Sequence, residues 1–129
     1  MRSVVITLLT ILCFAGLSRS QTARAPQPET VMVTLHPKTG ADAELARVIA
    51  DHWKTANQLK LVNATPHVTL RGTDESKKTY FVEIFTWRDN SIPDNAPSAI
   101  QKIWGQMNAL VENEPGRPGL TFTEVSVMN

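Results

Sequence analysis

Cysteine is almost missing from this chain. The one residue of that type, Cys13, lies inside an apolar run near the N-terminus, so a domain made from the rest has no disulfide and no thiol nucleophile. Histidine is nearly as scarce. His36, His52 and His67 are the whole supply, and no two of them stand at the i, i+4 or short-loop spacing that metal sites use, which argues against a metal centre. Neither sign of charge dominates, with 13 Lys and Arg against 12 Asp and Glu. A nucleic acid or an anionic membrane surface calls for a clustered positive field, and the chain has none, so neither is expected as a partner. The longest apolar run, Val4 to Leu17, falls short of the roughly 20 residues that cross a bilayer.

That run has Arg2 before it and Ser18-Arg19-Ser20 after it, the charged start, apolar middle and small-x-small end of an export signal. Cys13 follows Leu12, where a lipoprotein signal would have Gly or Ala. The expectation is therefore cleavage before Gln21 and an exported protein, periplasmic or secreted, with no stable membrane anchor afterwards. Three segments follow: a signal peptide at 1–20, a flexible tether at 21–29 carrying Pro26 and Pro28, and one domain at 30–129. Losing Arg2 and Arg19 turns the net charge from +1 to −1, and the remainder has room for a single core.

Thr79 to Trp87 is the strongest strand signal, because β-branched and aromatic residues fill it and no Gly or Pro interrupts. Tyr80, Val82, Ile84 and Thr86 alternate with Phe81, Glu83, Phe85 and Trp87, and both rows are largely apolar, which predicts a central strand covered on both faces. Glu83 is the anomaly. A carboxylate among aromatics must be paired, hydrogen-bonded or protonated.

Around this strand the spacing predicts a strand over 30–36 and a helix from Asp42 to Leu61 with its apolar stripe at Leu45, Val48, Ile49, Trp53, Ala56 and Leu59. A strand over 67–71 follows, joined to the central strand by the turn Gly72 to Lys78. A loop over 88–97 leads to a second helix from about Pro97, with Ile100, Ile103, Trp104, Met107, Leu110 and Val111 on one face, and a final strand covers 120–128.

This order, with the sequence Phe85-Thr86-Trp87-Arg88-Asp89 closing the central strand, resembles the antibiotic biosynthesis monooxygenase-like (ABM) group of dimeric α/β barrels over about 30–129. The resemblance implies an α+β, ferredoxin-like βαββαβ fold, a four-stranded antiparallel sheet with two helices on one face. It also implies a homodimer packed sheet to sheet and an oxygenase ancestry that needs no cofactor. Two departures stand out: Glu83 precedes Trp87 by four residues where two is more usual, and Ala96 to Val111 lacks the His that many members have early in the second helix. The haem-degrading branch uses an Asn, a Trp and a His; only Trp87 has a counterpart, so haem degradation is disfavoured.

A hairpin turn centred on Glu75 would set His67 opposite Glu83. A carboxylate that holds an imidazole in one tautomer makes a general base for a phenolic or enolic proton, and also a purely structural pair; both readings stand. His52 reads as a helix-surface or boundary residue and His36 as a strand-end residue. Phe81, Phe85, Trp87, Trp53 and Trp104, with Arg88 at the strand mouth, are the candidate walls of a pocket for a small apolar or aromatic molecule. Two functions follow. One is a cofactor-independent monooxygenase acting on a phenolic, quinol or polyketide-like aromatic, with His67 and Glu83 as its catalytic pair. The other is a non-catalytic exported binding or stress module.

Overall fold

The computed structural model describes residues 25–129. The expected export signal with Cys13, and the tether over 21–24, lie outside the described residues. The elements run β1 (Glu29–Leu35), α1 (Asp42–Gln58), β2 (Val62–Thr73), β3 (Thr79–Trp87), a 3-10 turn (Pro93–Asn95), α2 (Ser98–Leu110) and β4 (Leu120–Glu124). The four strands form one antiparallel sheet in the order β2-β3-β1-β4. This is the α+β ferredoxin-like arrangement, with β3 in the interior as its two apolar rows require.

The element ends have local causes. Asp42 and Glu44 occupy the first turn of α1, where the helix dipole favours acids. The helix stops at Gln58, short of the expected Leu61, because Lys60 takes the left-handed conformation with φ 59°. Lys60 N–H then donates to Asn57 and Leu61 N–H to Ala56, the paired bonds that close a helix C-terminus. Pro97 stands at the N-cap of α2. β2 begins at Val62 rather than His67, passing through an irregularity between Val62 and His67. Pro66 is tolerated there because β2 is an edge strand. β4 ends at Glu124, earlier than the sequence suggested; its partner β1 begins only at Glu29, and Val127 and Met128 are exposed.

The hairpin register corrects the expectation. Asp74 closes the turn, its N–H donating to the Lys78 carbonyl and its Oδ1 accepting from the Lys78 N–H at 2.9 Å, and Lys77 has φ 64°. The turn is thus centred on Ser76, and Thr69 lies opposite Glu83 while His67 lies opposite Phe85. A shift of two residues preserves the alternation, so His67 and Glu83 remain on the same face as diagonal neighbours.

That face carries the core. Phe81, Phe85 and Trp87 of β3 and Val31 and Leu35 of β1 are buried beneath the two helices. One cluster gathers Leu35, Leu45, Val48, Ile49, Phe81, Ile103, Met107 and Val111; a second gathers Val31, Ala56, Val62, Phe85, Trp87, Ala96 and Ile100. Among the described residues, no helix lies over the opposite face. Register puts Met32, Val68, Leu70, Val82 and Ile84 there, with Leu70 53% and Val68 40% exposed. Gly72 faces Tyr80 on that side, and a Cβ at Gly72 would collide with the Tyr80 ring. The missing side chain therefore gives the tyrosine its place.

Candidate functional site: a buried carboxylate between two imidazoles

Glu83 is 1% exposed, deep in the aromatic row of β3. Each of its oxygens faces an imidazole. Oε2 lies 3.3 Å from Nδ1 of His52, which descends from α1 and is itself 3% exposed. Oε1 lies 3.7 Å from Nε2 of His67, beyond hydrogen-bond range, and neither of those two atoms has another partner among the described residues. On its other side, His52 Nε2 accepts the indole N–H of Trp104 at 3.2 Å.

These contacts fix the tautomer of His52. Nε2 can accept from Trp104 only through a lone pair, so the ring proton sits on Nδ1 and is donated to Glu83. Phe85 and Trp87 also meet the imidazole edge-on, at centroid distances of 5.4 and 6.0 Å. His67 is held differently. It stacks on Trp53 with ring centroids 3.7 Å apart and planes 4° from parallel.

A cavity of about 420 Å³ opens beside His52, lined chiefly by Phe85, Trp87, Trp104, Met107 and Phe122. Asn90 and Asp94 contribute from the loop after β3, and Glu29 from β1. Its walls are chiefly aromatic and apolar with a few polar groups, and the one imidazole has a carboxylate behind it: a shape suited to a flat, hydrophobic ligand with a titratable hydrogen.

The candidate residues from the sequence divide accordingly. Phe85, Trp87 and Trp104 line the cavity. Glu83 lies behind His52. His67 and Trp53 sit together on the far side of Glu83 and are not among the lining residues. Phe81 belongs to the other core cluster, with the Arg71 guanidinium 5.9 Å from its ring. Arg88 is exposed and reaches the Lys60 carbonyl at 3.3 Å. Among the described residues, no group of three or more His, Cys, Asp or Glu converges as metal ligands would.

His52 corrects the sequence reading, which sets it at the helix surface or boundary; it is 3% exposed. It falls four residues after Val48, three after Ile49 and four before Ala56, all buried, so its position on the stripe was the available signal. Its polarity disguised it.

The fold and the cavity define a small α+β ferredoxin-like domain with an apolar pocket and one carboxylate-backed imidazole. No protein-family model matches the sequence, and no curated protein does. Solved structures match in fold. An antibiotic biosynthesis monooxygenase superposes with a TM-score of 0.58 at 16% identity, covering 80% of this chain and 100% of that one. A variant of SnoaB, a cofactor-independent oxygenase from Streptomyces nogalater, gives 0.58 at 17% identity, covering 79% and 94%. A dimeric ferredoxin-like protein of unknown function from Jannaschia sp. CCS1 gives 0.56 at 17% identity, covering 78% and 100%. This chain therefore has the fold of the ABM-like structures.

Proposed function

We propose that this chain is an exported ABM-like domain that binds a small phenolic, quinol or polyketide-like aromatic and oxygenates it with dioxygen, as a cofactor-independent monooxygenase. The observation that carries this reading is His52 on the wall of the aromatic cavity with the Glu83 carboxylate behind it. A bound phenol or enol gives its proton to Nε2 of His52, and the Glu83 carboxylate stabilises the imidazolium that forms. The electron-rich anion left behind can then reduce dioxygen. For an activated ring CH2 the balance is CH2 + O2 → C=O + H2O: two C–H bonds break, one oxygen atom stays as the carbonyl, and the other leaves as water with both hydrogens.

The test is oxygen uptake with an anthrone, wild type against His52→Gln. We expect one dioxygen consumed per quinone formed, without hydrogen peroxide, and a rate reduced on the order of 100-fold or more in the variant, the range that a general base supplies. Equal rates in the two proteins would remove His52 as the base. One observation favours the alternative of a non-catalytic binding module: Trp104 already occupies the lone pair that a base needs.

The same proposal includes a homodimer. Met32, Val68, Leu70, Val82 and Ile84 make an apolar sheet face that none of the described elements covers, and the Jannaschia protein is described as dimeric. Sheet-to-sheet pairing would bury that face. Sedimentation at micromolar concentration should give a dimer, and Leu70→Lys, which sets two like charges into the seam, should give a monomer. A wild-type monomer would sink this part.

A further inference from the structure

Trp104 and His52 form a closed donor–acceptor pair at the cavity wall. The indole Nε1–H points at the imidazole Nε2 at 3.2 Å, both groups line the cavity, and Nδ1 of the same ring is tied to Glu83 at 3.3 Å. In this state no polar atom of the pair lacks a partner. A ligand that reaches His52 Nε2 must first break this bond, and it must then satisfy two groups, a donor on half-buried Trp104 and an acceptor on buried His52.

We propose that Trp104 is the specificity-determining residue of the cavity, a latch over His52 that only a ligand hydroxyl can open without leaving a buried polar atom unpaired. The inference rests on the reading of the cavity as a site for an aromatic ligand, not on its being catalytic. The chemistry is a matter of counting donors and acceptors. A hydroxyl donates its hydrogen to Nε2 and accepts the Trp104 N–H on the same oxygen, so one lost bond is replaced by two. An ether or ketone accepts from Trp104 but strands the His52 lone pair, and the desolvation of that acceptor is lost in full. A plain hydrocarbon leaves the latch shut and gains only apolar contact. Two hydrogen bonds of ordinary length at a tetrahedral oxygen hold their outer nitrogens about 4.7 Å apart. The pair must therefore open by about 1.5 Å from its closed distance. Trp104 is the side that moves, because His52 is anchored by Glu83 and wedged between Phe85 and Trp87, whereas Trp104 is only half-buried.

Three ligands of one shape test this on the wild-type protein: 1-naphthol, 1-methoxynaphthalene and naphthalene. Binding is followed by calorimetry and by the indole N–H signals of nitrogen-15-labelled protein, where Trp104→Phe identifies the Trp104 signal by its disappearance. The expected result is that 1-naphthol binds about tenfold or more tighter than its methyl ether, the worth of one hydrogen bond and one orphaned acceptor. The Trp104 signal should shift with naphthol, as its acceptor changes from nitrogen to oxygen, and hold its position with naphthalene. Naphthol and ether binding within about twofold of one another would overturn the latch, as would a Trp104 signal that stays put at saturating naphthol. If none of the three binds, the latch and the proposed function fall together. If naphthol binds and moves the signal while anthrone consumes no oxygen, only the catalytic reading fails.

Discussion

The buried row of β3 has two unlike ends. At Phe81 the helices close over a cluster that is entirely apolar, with Leu35, Leu45 and Val48 at 0–1% exposure, and the ionisable groups of that end stay outside. Four residues on, around Phe85 and Trp87, a carboxylate and an imidazole are buried in the core and the packing leaves a cavity. The comparison teaches a division of labour. A solid end supplies cooperative stability through burial, while the hollow end accepts desolvated polar groups and a void for the sake of a site, as functional sites commonly do.

If that division holds, the largest effect should come from the solid end. Leu45→Ala removes a side chain with no exposure at a position that is not among the residues lining the cavity, and should cost about 2–5 kcal/mol. Denaturant unfolding checks this. Met107→Ala is the sharper comparison, because Met107 belongs to the solid cluster yet also lines the cavity, and its loss should stay nearer the lower bound. Equal costs at the two positions would erase the distinction.

A middle effect is expected at the carboxylate. His52→Leu strands both Glu83 Oε2 and the Trp104 N–H, and Glu83→Leu strands the Nδ1–H of His52, each at about 1–3 kcal/mol. The double variant should cost less than the two singles together, because the shared loss is counted once. Additive costs would mean that the pair is not coupled. A third arm, His67→Leu, should cost least of the three, since its 3.7 Å approach to Glu83 is no hydrogen bond and its partner in contact is the Trp53 ring.

The sequence showed the fold well because period and composition agreed in the elements that build the core: the β-branched and aromatic run of β3, three- and four-residue spacing in the helices, Pro and Gly between them. It showed the site less well for two physical reasons. The register of the β2–β3 hairpin depends on where the turn closes, and the bond from the Lys78 N–H to Asp74 moved the centre by one residue and the pairing by two. Glu83 was recognisable as an acid needing a partner, but its nearer partner came from α1. A pattern read within strands does not bring a helix residue into the search, although His52 stood on the apolar stripe. Phe81 was placed with the pocket because it shares a face with Phe85; the structure separates them along the strand's length.

The smallest effect belongs to the outside of the solid end, where His36 follows Leu35. The cluster there holds Arg117 against Asp74 at 3.6 Å and Glu114 at 3.2 Å, with Lys78 also on Glu114 at 2.6 Å. Burial, and then the Arg117 charge, hold the His36 imidazole below its usual pKa, against the opposing pull of Asp74 and Glu114. The Lys78 hydrogen bond holds Glu114 below the usual carboxylate value. Both groups bind protons more readily in the unfolded chain, so both make stability fall as the pH falls. For His36 the contribution is whole above its unfolded pKa of 6.5 and is lost on acidification towards its lower folded value; for Glu114 the loss begins only below about 4.5. The two windows are separable. In a melting-temperature series from pH 8 to pH 3, His36→Gln should flatten the limb just below pH 6.5 and leave the limb below 4.5 as it was, while Glu114→Gln should do the reverse. Unchanged slopes in both variants would show that the acid sensitivity arises elsewhere.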